Sequence, residues 1–486
     1  MMDSKQIASL GLVALLGACS FAPELRIPEV PVAEAYKEMQ PWVQAQPADQ
    51  LPRGKWWSLY GDDQLNTLQE KLIANNPNLA AALAHYQQAQ AYSDQSRSAL
   101  FPSLSANGSA GRNRVSENRP LVPPNASIAP TYPAYSIGLQ ASYELDLWGR
   151  VRNTVKAGDA EAAAAQADLE SARLSLQAQL ADNFIVLRGL DQQLKILQET
   201  VDANAKALSL TTTRHDAGIV PGFDVSRAQT QLDTTRSQLE QVKAQRAVVE
   251  HAIAALVGES PSQFNIASEQ DVIALPQIPL GVPSTLLQRR PDIASAQRRV
   301  EAANASVGVA KTAFFPALSL SAAFGYQSVS TGNWLNAPSN FWSIGPSMVF
   351  QLFDAGRRKA QVVQAQAVLD EAGARYRGVV LGAFQQVEDN LARLNHYQAA
   401  AEAEKSAADA AQKSLDFAMN RYREGAANYL EVTTAQTQAL QTQRTLLDLN
   451  VSQLRASIDL VRALGGGWQD QPAMNQGKNT DSGSAS

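Results

Sequence analysis

The chain has 486 residues, 45% of them hydrophobic and 18% charged, with a formal net charge of −5. That acidic balance excludes the basic footprint of a nucleic-acid binder. The single cysteine, Cys19, excludes an intrachain disulfide framework. The four histidines, His85, His215, His251 and His396, lack metal-ligand spacing, and the chain has no nucleophile elbow or phosphate loop. Neither an enzyme nor a bound metal or cofactor is therefore expected.

Residues 1–18 read as a signal peptide: Lys5 gives a basic start, Ile7 to Leu16 form the apolar core, and Leu16-Gly17-Ala18-Cys19 follows. This run is too short to span a bilayer. Its end resembles a bacterial lipobox, where cleavage before Cys19 leaves a cysteine carrying a diacylglycerol and an acyl chain. The alternative is an ordinary signal peptide with a cysteine near the cleavage site. Ser20 in place of aspartate implies sorting to the outer membrane. Residues 19–61, with Pro23, Pro28, Pro31, Pro41, Pro47 and Pro52, read as a lipidated, extended tether. No other segment offers about 18 consecutive apolar residues, so a mature chain that enters a membrane does so as strands.

Beyond the tether the sequence is written twice. Asn76-Pro77-Asn78-Leu79 returns as Arg290-Pro291-Asp292-Ile293, and Phe101-Pro102-Ser103-Leu104 as Phe315-Pro316-Ala317-Leu318, both 214 residues on. Trp148-Gly149-Arg150 returns as Ala355-Gly356-Arg357, and Phe223-Asp224-Val225 as Leu430-Glu431-Val432, both 207 residues on. Such a period marks a duplicated half rather than a solenoid unit. The first repeat is 62–258, the second 288–466, with a connector at 259–287 and a disordered polar tail at 467–486.

Each half opens with a helix whose first residue is proline and which stops before a Phe-Pro pair. A β-hairpin follows, at 103–148 and 317–354. Tyr135, Ile137, Leu139, Ala141, Tyr143, Leu145 and Leu147 alternate with Ala134, Ser136, Gly138, Gln140, Ser142, Glu144 and Asp146, as do Leu318, Leu320, Ala322, Phe324 and Tyr326 with Ala317, Ser319, Ser321, Ala323, Gly325 and Gln327. Trp342, Ile344, Met348, Phe350 and Leu352 face away from Ser343, Gly345, Ser347 and Gln351. The segment from Ser103 to Gly111 alternates more weakly. Strands of about 9–11 residues can cross a bilayer with one face to lipid; the alternative is a soluble β-sandwich. Pro346 cannot donate within a central strand and requires a bulge or an unpaired position.

Long helices free of proline come next, at 150–215 and 356–424, reaching roughly 100 Å each. Leu180, Leu187, Leu194, Val201 and Leu208 recur every seven residues, the mark of a coiled-coil seam, and Leu440, Leu447, Leu454 and Val461 repeat it later. The turns at Asp216–Gly222 and Glu424–Asn428 send the chain back as helices 223–257 and 429–464. The fold class is thus mixed α and β: an outer-membrane β-barrel continuous with a long α-helical barrel, with an internal two-fold repeat. Four strands leave open edges that lipid cannot satisfy, so the chain must oligomerise.

On this duplicated frame, Leu280-Gly281-Val282-Pro283-Ser284, Arg289-Arg290-Pro291-Asp292-Ile293, Ala302-Ala303-Asn304-Ala305, Phe314-Phe315-Pro316 and Phe353-Asp354-Ala355-Gly356-Arg357 resemble the TolC-like outer-membrane factors. The likeness, covering about Trp56 to Gly466, is nearest to the NodT-type lipoproteins of resistance-nodulation-division (RND) efflux systems.

The resemblance implies a homotrimer whose four strands per chain make a 12-stranded barrel, lipid-anchored at Cys19 in the outer membrane with a large periplasmic part and the connector 259–287 at its equator. It also implies a membrane-fusion adaptor and an inner-membrane RND transporter as partners. It places Asp224 and Glu431 on an acidic ring at the periplasmic aperture, Leu430 at an apolar constriction, Tyr422 on the latch, and Gly218 and Gly425 in adaptor-contact turns. Thr434 and Ala427 depart from the family's acidic and arginine positions. Simpler roles compete: Asp224 and Glu431 as caps or dipole partners of helix starts, and the glycines as turn formers. The expected function is a passive exit duct for drugs or other small solutes. Type I protein secretion and a structural periplasmic coiled-coil lipoprotein are the alternatives.

Overall fold

In the computed structural model the described residues are 20–30, 35–38, 55–114, 116, 131–269, 273–276, 278 and 290–466. The signal peptide, Cys19, much of the tether and the tail 467–486 lie outside them. The protein mixes helix and strand. In chain order the elements are α1 (Asp63–Asn75), α2 (Pro77–Ser98), β1 (Ser103–Arg114), β2 (Thr131–Glu144), α3 (Arg150–Asp216) and α4 (Gly222–Leu256). They continue with α5 (Pro291–Thr312), β3 (Ala317–Ser328), β4 (Asn340–Val349), α6 (Arg357–Arg423) and α7 (Tyr429–Ala463). Both α3 and α6 have 67 residues, roughly 100 Å of helix. Among the described residues, no helix is long and apolar enough to cross a membrane.

Two compact units divide the chain. The first comprises Met1–Pro28, Tyr86–Ala165 and Ala296–Tyr376 and contains the sheet, an antiparallel meander in the order β1-β2-β3-β4. Its register decides which residues share a face. Ala106 opposes Leu139, Leu139 opposes Phe324, and Phe324 opposes Trp342, so the apolar positions of all four strands fall on one side. Asn107, Gly138, Gly325 and Phe341 line up on the other. The apolar side is open: Leu104 is 71% exposed, Phe324 50%, Trp342 72% and Met348 69%. The polar side is cross-linked by Ser109 to Ser136 at 2.8 Å and by the Asn107 amide donating to Gln140 at 3.4 Å.

Two findings refine the strand reading. Pro346 lies opposite Leu320 in an unbroken register, so there is no bulge at it; β4 is an outer strand of the sheet within one chain. Gly138 and Gly325 face each other so closely that a Cβ on Gly325 would stand 2.3 Å from the Ile137 carbonyl, and the Phe341 ring covers the gap.

The second unit comprises Glu29–His85, Gln166–Ser295 and Arg377–Ser486 and holds the largest core. Leu180 and Leu187 of the heptad seam are fully buried there, with Leu454 and Val461 of α7. Further along α3, Leu197 and Val201 pack on Leu232, Leu239 and Val242 of α4. Each such leucine contributes about 1.5–3 kcal/mol by burial. Asn204, also fully buried, donates to the Thr235 hydroxyl at 3.0 Å, a polar pair that fixes the register of two otherwise slippery helices.

Residues 56–60 correct the tether boundary of 61. Trp56 and Trp57 are each 2% exposed, and the Tyr60 hydroxyl bonds Ser457 at 2.7 Å. Two tryptophans and a tyrosine carry too much apolar area to stay in a solvated strand.

The connector is tied down by buried charge. Asp191 accepts from Arg246 at 2.6 Å and from Ser268 at 2.9 Å, while Arg188 donates to the Ala267 carbonyl at 3.0 Å and to Glu269 at 2.7 Å.

The Asn-Pro and Arg-Pro motifs perform the same task at two helix junctions. The Asn76 amide donates to the Leu256 carbonyl at the end of α4 (2.7 Å), and its oxygen caps Leu79 at the start of α2 (2.9 Å). Arg290 donates to the Ala463 carbonyl at the end of α7 (3.1 Å) and pairs with Asp292 in the first turn of α5 (2.6 Å). Terminal carbonyls that would be orphaned in a buried place are satisfied. Asn76→Ala removes both bonds and is expected to cost about 1–3 kcal/mol, read as a lower denaturant midpoint of the detergent-solubilised protein.

Candidate functional site

The far turns of the second unit join helix ends of opposite sign. α3 ends in Arg214 and His215 and α6 in Arg421 and Arg423, whereas Asp224 and Glu431 stand in the first turns of α4 and α7. Cations at C-termini and anions at N-termini each complement the helix dipole. Neither carboxylate, however, caps its helix. α4 is preceded by Pro221 with no side-chain cap, and α7 is capped by Asn428, whose oxygen accepts from Glu431 N at 3.1 Å. The Asp224 and Glu431 carboxylates are left for other partners.

Tyr422 and Tyr429, on either side of the Gly425 turn, form the packed centre. Their rings meet edge to face at 5.5 Å, and they are 2% and 0% exposed. The Tyr422 hydroxyl is 3.0 Å from that of Thr211, and the Arg214 guanidinium lies 4.8 Å above the Tyr422 ring while donating to the Tyr422 carbonyl. One arginine thus ties the end of α3 to the end of α6 through a ring face and a backbone oxygen. A second, Arg421, reaches the Ala426 carbonyl at 3.0 Å and Glu431 at 3.4 Å. Burial pushes the Tyr429 phenol up to about 12, helped by Tyr422 and by the negative charge of Asp224.

Of the residues singled out from sequence, Tyr422 and Asp224 converge on Tyr429, and Glu431 joins the Gly425 turn through Arg421. Leu430 is 51% exposed and outside that cluster. Gly218 and Gly425 have φ of +77° and +79°, a left-handed conformation that a side chain strains, and both are exposed. Cys19 lies outside the described residues. Sequence reading passed over Thr211, Arg214, Arg421 and Tyr429. A signal for the arginines exists, since Arg214 and Arg421 stand 207 residues apart, each four residues before its turn glycine.

The family model "Outer membrane efflux protein" matches residues 68–259 and 282–466. The chain belongs to this family. It is 31% identical over 471 residues to the probable efflux pump outer membrane protein TtgC of Pseudomonas putida, covering 96% of this chain and 97% of that protein. With the outer membrane protein OprJ of Pseudomonas aeruginosa it shares 30% identity over 467 residues, covering 96% of each. Among solved structures, the outer-membrane channel OprN superposes with a TM-score of 0.84 at 30% identity, over 93% of this chain and all of that one. An outer membrane efflux protein is a transport component and not an enzyme.

The electrostatics of the turn can be titrated. Because Tyr429 ionises well above its ordinary value of 10, the folded state holds a proton that the unfolded state has lost between pH 10 and about 12. Its stabilising contribution is complete below pH 10 and disappears as pH rises through 12. Asp224→Asn removes the carboxylate's repulsion and should lower the Tyr429 transition toward, but not to, 10, since burial remains. The tyrosinate absorbance near 295 nm, referenced to Tyr429→Phe, measures it.

Proposed function

We propose that the chain is the outer-membrane exit duct of a tripartite efflux pump. One observation carries this reading: apolar positions of four paired strands lie in phase on one exposed face, with serines, glycines and amides on the other. A single-chain soluble fold has no use for such an open face, whereas a bilayer requires it. The two unpaired edges, β1 and β4, are satisfied when copies join edge to edge. Three copies of the four-stranded sheet make a 12-stranded barrel, with each chain built from two copies of one ancestral half.

In this reading Cys19 carries the lipid anchor. Asp224 and Glu431 ring the periplasmic aperture, Leu430 narrows it, and Tyr422, held by Arg214 and Thr211, keeps it shut. A membrane-fusion adaptor contacts the turns at Gly218 and Gly425 and shifts the helices between two packings, while an inner-membrane RND-type transporter does the work on the solute. Arg421 supplies, from the preceding helix, the cation that Ala427 lacks. The names of TtgC, an efflux pump component, and OprN, a channel, support the class.

Neutralising the aperture tests the gate. Asp224→Asn with Glu431→Gln is expected to raise single-channel conductance in planar bilayers or weaken cation selectivity; if both stay at the wild-type level, these carboxylates do not line the path. Deleting the gene should increase drug accumulation in the cell and leave exported proteins unaffected. Normal efflux with lost protein export would instead assign the duct to type I secretion.

A further inference from the structure

The first residues after the lipobox cysteine are seated in a built socket within the first unit. The Phe21 ring stacks on Phe315 at 4.4 Å and 15°, and Phe315 stacks in turn on Trp148 at 5.0 Å. The Trp148 indole is fixed by donating to the Pro316 carbonyl at 2.8 Å. On either side of the ring the segment is gripped: the Ser20 hydroxyl donates to the buried Asn153 oxygen at 3.2 Å, and the Asn304 amide donates to the Pro23 backbone carbonyl at 3.0 Å. Between these clamps Ala22 lies directly on Gly308, where a Cβ would stand 2.9 Å from the Ala22 Cα. Asn153 Nδ2 is buried beside Ser20 and has no hydrogen-bond partner among the described residues.

The socket's place in the sheet gives it meaning. Trp148 follows the end of β2 and Phe315 precedes β3, which the antiparallel pairing puts at the same end of the sheet as the start of β1 and the end of β4. At that end Phe101 is 71% exposed, Leu352 84% and Phe353 81%. Exposed aromatic and aliphatic side chains at strand ends are what a membrane–water interface holds.

We propose that residues 20–23 are a strap whose docking in the Phe21–Phe315–Trp148 socket fixes the lipid-bearing amino terminus at the strand ends, so that the acyl chains enter the leaflet which that apolar rim contacts. This rests on the reading of Cys19 as lipid-modified. A diacylglycerol and an acyl chain hold the cysteine to the membrane, but a flexible tether would let that attachment wander relative to the sheet. The strap converts it into an anchor of fixed position. Ser20 then has two uses, one in the sorting signal and one as the donor to Asn153.

The experiment uses the full-length protein in outer-membrane lipid vesicles with Glu24→Cys, an exposed position just past the strap, carrying a nitroxide label. In the otherwise native chain the label should report an immobilised backbone, and trypsin should cut slowly after Arg26. Phe21→Ala removes the stacked ring, and Gly308→Val fills the space under Ala22. Each should free the label and speed that cleavage by about tenfold or more. Phe21→Ala keeps the test valid if Gly308→Val perturbs folding, since it adds no bulk. Equal label mobility and equal cleavage in all three backgrounds would overturn the strap. The lipid reading fails separately, if Cys19 in the native chain reacts with a maleimide; the mobility comparison then still decides whether the socket holds the segment.

Discussion

Backbone amides and carbonyls inside a bilayer have only each other to bond, and a four-stranded meander leaves one row unpaired at each edge. In the proposed outer-membrane reading, that constraint governs the sheet. Because the register keeps Leu139, Phe324 and Trp342 in line, most large apolar side chains of the sheet face the same way, Phe341 being on the other side, and a slip of one residue in any pair would invert that strand's faces. Gly138 and Gly325 with the Phe341 ring between them help hold the register, since close backbone approach there tolerates no Cβ.

The helices solve a different problem: long amphipathic rods must end without orphaned carbonyls inside a packed structure. Asn76 and Arg290 do so with different chemistry, a neutral amide and a guanidinium, at equivalent points of the duplicated sequence. The Arg188–Asp191–Arg246 cluster adds what apolar packing lacks, a directional tie that holds the connector in one place. Breaking such a buried pair by removing one partner strands a charge, so these residues act as a unit.

At the Gly218 and Gly425 turns a buried aromatic centre lies next to exposed surface. Tyr422 and Tyr429 are buried, yet they are surrounded by exposed glycine turns, an exposed Leu430 and carboxylates that cap nothing. That centre is held by one edge-to-face ring pair, one hydroxyl pair and two arginines.

Much of this was legible in the residues alone. Period-two alternation marks β2 and β3 because one face meets an apolar medium and the other a polar one, and heptads mark α3 and α7 because a 3.6-residue helix keeps a single seam. β1 was faint for a physical reason: its outward positions include Ala106, Gly108 and Ala110, too small to signal alternation, and only pairing with β2 reveals their face. The aperture candidates Asp224, Glu431 and Tyr422 came from position in a recognisable frame, but Arg214 over Tyr422 joins residues 208 apart, which no local pattern encodes. The same holds for the core burial of Trp56 and Trp57 and for Phe21 on Phe315. Local periodicity records which environment a segment faces. Which side chains satisfy one another across hundreds of residues is decided only when the helices and strands pack.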